Sequence, residues 1–257
     1  MTCLQVVTLL MCPFLAPEAA VPAAALQQRA PLEVEIGGSY EILSGDRSNW
    51  QDAWIRVRQP LGPRQSVDVT GLRSERFGLV DYQVSAGTTF PLDDMTARLE
   101  GSLSPNADFL ANWGVGGNLL VPLGGPWATR VGGGYQEYPG GQTVTGQFGA
   151  LEWRSGPLGA SYRLGASQVD GDGGLAHTLS GTAFYARRSH VTLTGTLGDR
   201  AVMIGPGDVV LGQARGVGLL GLHEIQPGLG ISYHIGIDDH AGVFTRSRFQ
   251  VGFRVLP

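Results

Sequence analysis

Leu229-Gly230-Ile231-Ser232-Tyr233-His234-Ile235-Gly236-Ile237 decides the fold. Its odd positions are apolar and its even positions are small or polar. Residues two apart share one face of a β-strand, so this stretch has one apolar face and one polar face. The alternation returns near the C-terminus, where Phe249, Val251, Phe253 and Val255 interleave with Arg248, Gln250, Gly252 and Arg254. It returns again where Val191, Leu193, Gly195 and Leu197 interleave with Thr192, Thr194 and Thr196. Ala53, Ile55 and Val57 likewise alternate with Trp54, Arg56 and Arg58.

Working outward, fourteen segments carry this period and helical periodicity is almost absent. They span 32–42, 50–59, 64–74, 78–89, 94–103, 111–121, 127–138, 142–154, 158–169, 175–186, 189–198, 208–223, 228–237 and 246–255. The segment after Leu197 is the weakest, and twelve strands is the alternative. Two kinds of connection separate the segments. One kind is short: Gln59 to Pro63, Pro91 to Asp94, Pro122 to Pro126, Ser155 to Leu158, Arg187 to Ser189 and Gln226 to Gly228. Pro sets φ and Gly supplies positive φ, so these are tight reversals. The other kind is more varied and often longer: Ser44 to Asn49, Leu103 to Leu110, Asp170 to Gly174, Asp199 to Gly207 and Asp238 to Thr245. The two kinds take turns along the chain. An antiparallel meander with short turns at one end and longer loops at the other produces that order, as transmembrane barrels do. The fold class expected is all-β: a transmembrane, antiparallel, up-and-down β-barrel of about fourteen strands. A soluble β-sandwich or propeller fits less well, because both strand faces are rich in Gly and no blade-length repeat exists.

Composition agrees. Gly supplies 40 of the 257 residues and charged residues only 16 %. The net charge is −4, which argues against a nucleic-acid partner. All 18 basic residues are Arg. No run of 18 apolar residues suggests a transmembrane helix. Of the two cysteines, Cys3 precedes and Cys12 lies within an apolar opening from Leu4 to Leu15, followed by the small-residue stretch Ala16 to Ala25. That is the order of a secretory signal peptide over residues 1–25, with the barrel domain over 26–257. Met11 before Cys12 argues against a lipid anchor there. Removal of the leader would leave no cysteine for a disulfide or a thiolate metal site.

The chain resembles the YaiO-like family of outer-membrane β-barrel proteins. The likeness is carried by Ile36 to Asp46 with Asn49 and Ala53, then Gly101-Ser-Leu-Ser-Pro105 with Phe109. It is strongest in Gly132-Gly-Gly-Tyr-Gln-Glu-Tyr138, Gly149-Ala-Leu-Glu-Trp153, Gly156-Pro157 and Ser161-Tyr-Arg163. It runs from about Val34 to Val255. The resemblance implies an outer-membrane location, lipid as surroundings and the barrel-insertion machinery as a partner. It does not imply a reaction. One departure is that such barrels usually end in an aromatic residue, whereas this chain ends Val255-Leu256-Pro257, with Phe253 its last aromatic.

A strand charge facing lipid at the midplane costs about 2–4 kcal/mol, so mid-strand charges are assigned to the lumen. The candidate lumen lining is Glu33, Glu35, Asp52, Arg56, Arg58, Asp68, Asp81, Arg98, Glu100, Arg130, Arg163, Arg215, Arg248 and Arg254. Glu33 and Glu35 should face Arg56 and Arg58 on one side and Arg248 and Arg254 across the closure seam. Asp81 should lie beside the strand of Arg98. Paired charges that hold register and a lining for an aqueous path are both consistent with this set. Strand count does not choose between them, since small barrels are filled and large porins are open. Trp50, Trp113, Trp127, Trp153, Tyr138, Tyr185 and Phe90 fall near strand ends, as interfacial girdles require.

Catalytic and metal chemistry finds little support. His177, His190, His223, His234 and His240 form no close metal pair. His234 should face the lumen as a packed polar residue. Asp238, Asp239 and His240 could serve a lipid-active enzyme at the outer rim, but no G-x-S-x-G elbow accompanies them. Asp170-Gly-Asp172-Gly-Gly174 lacks the last ligand of a calcium loop and reads as a hairpin turn. Gly132 to Gly134 and Gly116-Gly117 open no helix, so they cradle no phosphate. No cofactor, metal site or catalytic residue is assigned. The function expected is a passive or secretion-linked pore. A closed barrel acting through its outer loops is the alternative, and an outer-membrane enzyme a distant one.

Overall fold

The computed structural model describes residues 32–45, 47–186, 188–240 and 242–255. The proposed signal peptide, both cysteines and the last two residues lie outside that set. Fourteen strands follow one another: β1 (Glu33–Leu43), β2 (Trp50–Gly62), β3 (Gln65–Arg76), β4 (Leu79–Leu92), β5 (Met95–Leu103), β6 (Trp113–Gly124), β7 (Trp127–Glu137), β8 (Thr143–Ser155), β9 (Leu158–Val169), β10 (Asp172–Ala186), β11 (Ser189–Gly205), β12 (Asp208–Gln226), β13 (Leu229–His240) and β14 (Phe244–Val255). Each pairs antiparallel with its sequence neighbours, and β1 pairs β14, so the sheet closes on itself. Closure leaves no unpaired edge, the condition for β-structure in lipid. Among the described residues no helix is long and apolar enough to cross a membrane, which says nothing against crossing with strands.

The period-two pattern becomes two concentric surfaces. Outside, Ile36, Ile55, Val69, Val84, Leu99, Val115, Val131, Leu151, Leu179, Leu193, Val217, Ile235 and Val251 stand exposed and form an apolar belt. A belt of that extent would be a liability in water, and it matches hydrocarbon. Inside, Glu35, Glu41, Asp68, Asp81, Arg76 and Arg98 are buried. Trp113, Trp127 and Tyr185 point outward at strand ends, and Trp127 is cross-strand partner to Trp153. These four fit girdle positions. Trp50 and Tyr138 do not: both are buried at the loop end. Their strand-end placement was right, but their side chains turn into the barrel mouth rather than toward the interface.

The turn end holds both ends of the barrel segment and six reversals of two residues each. The loop end is less open than expected. Only residues 44–49, 104–112 and 138–142 form longer connections there. The expected loop from Asp199 to Gly207 is instead strand: β11 runs on to Gly205, and β12 starts at Asp208. Its sequence hides this because Ala201-Val-Met-Ile204 and Val209-Val-Leu211 are apolar on both faces. Both faces of the protruding hairpin pack on protein, so the polar alternation disappears.

Candidate functional site

The register brings the charged positions together inside. Glu35 faces Arg56 on β2 and Arg254 on β14. Its carboxylate accepts hydrogen bonds from Arg254 at 3.0 Å and from the Ser232 hydroxyl at 2.6 Å. Ser232 lies on β13, two strands away, so this bond locks the closure seam from within. Glu33 meets Arg58 at 3.9 Å. Arg98 reaches across the inner face to form a two-bond pair with Asp68, at 2.7 and 3.1 Å. The strand between them carries Gly87, where an added Cβ would stand 2.5 Å from the guanidinium. Glycine there is what lets the pair form. Arg98 also meets Glu100, and Arg130 pairs with Glu152 at 2.8 Å.

Of the expected lining, every residue but one occupies the inner face. Arg215 is the correction. On β12 the inner positions are Ala214 and Gly216, and Arg215 points outward to Asp239 at 3.0 Å with a side chain 70 % exposed. It stands on the long strand near the loop end, away from the midplane, where the cost of an outward charge falls off. Arg248 meets Glu41 instead of the expected Glu33 or Glu35, and Arg246 joins the same carboxylate. Asp81 lies on β4, beside the strand of Arg98 as expected. Glu41, Arg76, Glu152, Arg154, Arg200, Asp238 and Arg246 are inner-face charges that the sequence reading missed. Strict alternation from Glu33 and Glu35 reaches Glu41, and from Arg248 it reaches Arg246. Those two were legible.

Asp81 has another task. Its two oxygens accept four hydrogen bonds from the backbone N–H groups of Asp108, Phe109 and Leu110, at 2.7 to 3.1 Å. Charge-assisted bonds of this kind are about twice as strong as neutral ones. They draw the 104–112 loop into the mouth, where Phe109 is fully buried. Phe109 joins Leu43, Trp50, Leu72, Tyr138, Val144, Val169 and Phe244 in one apolar cluster. Phe77 packs edge-on against both Trp50 and Phe109. It does so from φ 56°, a conformation costly for a bulky residue. Burial of its ring offsets that cost. Arg76, at the loop end of β3, lies 4.6 Å from the Trp50 ring and 5.6 Å from that of Phe109, with Asp52 at 3.6 Å. The cluster is thus an apolar cap with the Arg76 guanidinium held against its rings. Burial in it pushes the Tyr138 hydroxyl up to about 12.

The β11–β12 hairpin completes the cap. The β10–β11 ladder ends at Ala176 and Gly198, whereas the β11–β12 ladder continues to Gly205 and Asp208. Gly198 has φ 128°, and a Cβ there would stand 2.2 Å from the Leu175 carbonyl oxygen. The chain can leave the wall at this point only through glycine. Beyond it, Ala201, Val202, Met203 and Val209 enter the apolar cluster. Gln142 holds the hairpin on the far side. Its amide donates to the Val209 carbonyl at 2.8 Å and accepts from the Val209 N–H at 2.6 Å. Arg47 donates to the Ile204 carbonyl.

Below the cap the two sides of the lumen differ. On β1 and β3 to β5 the inner charges are mostly buried and paired. On β9 to β11 the inner face is hydroxyl and small: Ser161, Thr178, Ser180, Thr182, Thr192, Thr194 and Thr196, all only half-buried. Three cross-strand hydroxyl pairs run up this wall, Thr182–Thr192 at 2.8 Å, Ser180–Thr194 at 3.2 Å and Thr178–Thr196 at 3.2 Å. Each hydroxyl keeps further bonding capacity that points into the lumen. The less tightly packed side of the interior therefore lies along β9 to β11.

Among the described residues no three His, Cys, Asp or Glu side chains gather to hold a metal. Asp170 sits in a tight turn at φ 48°, and its carboxylate accepts from the Thr143 N–H. His234 and His240 are buried on the inner face of β13, and Asp239 points the other way.

A family model described as the YaiO membrane β-barrel domain matches residues 32–199. Comparison with the sequences of curated proteins gives no match. Among solved structures, the CymD monoaromatic hydrocarbon channel superposes with TM-score 0.61 at 8 % identity, covering 90 % of each chain. A bacterial polysaccharide outer membrane secretin gives 0.57 at 10 % identity, over 89 % of this chain and 99 % of that one. The NanC porin gives 0.51 at 12 % identity, over 87 % and 99 %. At these identities the likeness is one of fold.

Proposed function

We propose that this chain, which belongs to the YaiO membrane β-barrel family, is an outer-membrane channel that its own cap holds shut at the loop end. The observation that carries the reading is a wall of half-buried hydroxyls on the inner face of β9 to β11, with a buried apolar cluster covering the loop end. The closing parts are one loop and one hairpin tip, held by Asp81, Gln142 and side-chain packing. None of them belongs to the paired part of the wall. A barrel that served only as a wall would have no need of half-open hydroxyl faces below its plug. A constitutively open passive pore is disfavoured by the same plug, so the expected pore becomes a gated one. Residues 1–25 would direct export, the insertion machinery would place the barrel, and no reaction is assigned to it. The names of two similar structures refer to passage of a hydrocarbon and to a polysaccharide secretin. The role proposed here rests on the hydroxyl wall and the cap.

The test is conductance of the refolded barrel in a planar bilayer. The native chain should be silent apart from brief openings. A variant with residues 199–213 replaced by an Asn-Gly turn between Gly198 and Ala214 should give long, steady steps. If that variant inserts as a heat-modifiable β-barrel and passes no current, even with Asp81→Ala added, the channel reading fails. The closed barrel acting through its loops then takes its place.

A further inference from the structure

We infer that the cap opens in acid and that His240 is the group that senses it; this rests on the channel reading above. His240 is the last residue of β13 and is buried on the inner face. The outward positions of this strand are apolar at Ile235 and Ile237, and charged at Asp239. The ring therefore stands past the apolar belt, in the mouth. It is only 4 % exposed. It packs on Phe244 with ring centroids 5.0 Å apart. Phe244 belongs to the apolar cluster and meets Trp50 edge-on at 5.7 Å. His240 is thus joined to the cap through an aromatic contact. The other described histidines are not. His177 and His223 lie outside, bonded to Tyr162 and Tyr185. His190 starts β11 at the turn end, and His234 lies six residues deeper on β13.

Both ring nitrogens are buried, and neither has a hydrogen-bond partner among the described residues. Such a place is costly for a neutral imidazole. It is far more costly for an imidazolium, which adds a charge and a second N–H donor. The surrounding groups do not relieve that cost. Arg246 on β14 and Arg200 on β11 repel a further cation. Asp238 and Asp239, on its own strand, attract one. Asp238 is already bound by Arg246 at 3.2 Å, and Asp239 points outward to Arg215 on β12. Glu41 on β1 is held by Arg246 and Arg248. Arg47, from the β1–β2 loop, lies over the Phe244 ring at 5.4 Å. The cross-strand partner of His240 on β12 is the uncharged Ala214. Burial first, and Arg246 next, hold the ring's pKa down from the ordinary 6.5 to about 4. The shut cap therefore keeps its full stability above about pH 6.5 and loses it as the pH falls toward about 4. The longer loops of an outer-membrane barrel face the medium, so the signal is acidification outside the cell.

The experiment follows single channels of the refolded barrel in a planar bilayer at about pH 7.5 and about pH 5. The open fraction of the native chain should rise on the order of tenfold in acid. In His240→Phe, which keeps a ring against Phe244 but cannot titrate, it should stay level. His240→Gln, polar and without a titrating ring, should also remove the response. His234→Gln, deeper on the same strand, should keep it. Protease cleavage of the β11–β12 hairpin beyond Gly198 gives a readout that needs no current. Native chain and His240→Phe, compared at the same pH, should be cut equally at the higher value, and the native chain faster at the lower. A native chain with no acid response in either readout, or a response that both His240 variants retain, overturns the inference and leaves the channel standing. Faster cleavage in acid from a folded, inserted barrel that never conducts supports the acid-opened cap and overturns the channel.

Discussion

Asp81 shows how one side chain can govern a mouth. It satisfies backbone donors of a loop that would otherwise be buried with unpaired N–H groups, a cost of about 1–3 kcal/mol for each group. Asp81→Ala should release residues 104–112 from the lumen. Limited proteolysis of the inserted barrel should then cut near Asn106, where the native protein resists, while the strands stay protected. Phe109 is the apolar counterpart: fully buried, it should cost about 3–5 kcal/mol on truncation to Ala if the cap remains shut. A smaller loss, seen as a small shift in the heat-modifiability midpoint, would mean that the loop leaves the mouth rather than tolerating a cavity. Arg215 carries the opposite lesson. Its charge alone suggested the lumen, yet its strand position relative to Ala214 and Gly216 decided otherwise. Alternation outranks charge when a strand extends past the membrane.

At the scale of elements, the β11–β12 hairpin is the part that distinguishes this barrel from an open one. Its base is set by Gly198, and its tip is tied by Gln142 to the 138–142 loop. Gln142→Ala removes both bonds to Val209 and leaves the hairpin's own ladder intact. The expected outcome is more frequent spontaneous openings in the bilayer with no change in strand content by circular dichroism. Gly198→Val should be far more damaging, because its Cβ would meet the Leu175 carbonyl. Unchanged opening frequency in Gln142→Ala would place the closing force wholly in the apolar cluster.

For the whole molecule, closure depends on a seam that joins the two ends of the chain. Glu35 and Glu41 on β1 bind Arg254, Arg248 and Arg246 on β14, and Glu35 also takes the Ser232 hydroxyl of β13. Breaking one partner of a buried pair costs about 3–5 kcal/mol because the other charge is left alone. Glu41→Gln strands Arg248 and leaves Arg246 with Asp238 alone, and should lower the temperature at which the folded gel band converts to the unfolded one. Glu41→Gln/Arg248→Gln should recover part of that loss. Failure of the double change to recover any would mean that the seam is held by backbone ladder and packing alone.

The sequence by itself determined the barrel. Strand number, turn placement, the apolar belt and most of the inner charges follow from a period of two, because lipid outside and a polar lumen inside leave each residue only two environments. Glu35 beside Arg56 and Arg254 was legible for that reason. The cap was not. Trp50 and Tyr138 looked like girdle residues, and the 199–207 hairpin looked like a loop. Each misreading lies at the mouth, where protein covers both faces of a segment and alternation no longer carries information. Whether the loop end is covered and which acid holds which arginine depend on contacts between strands and loops far apart in the chain. Such contacts exist only once the sheet has closed.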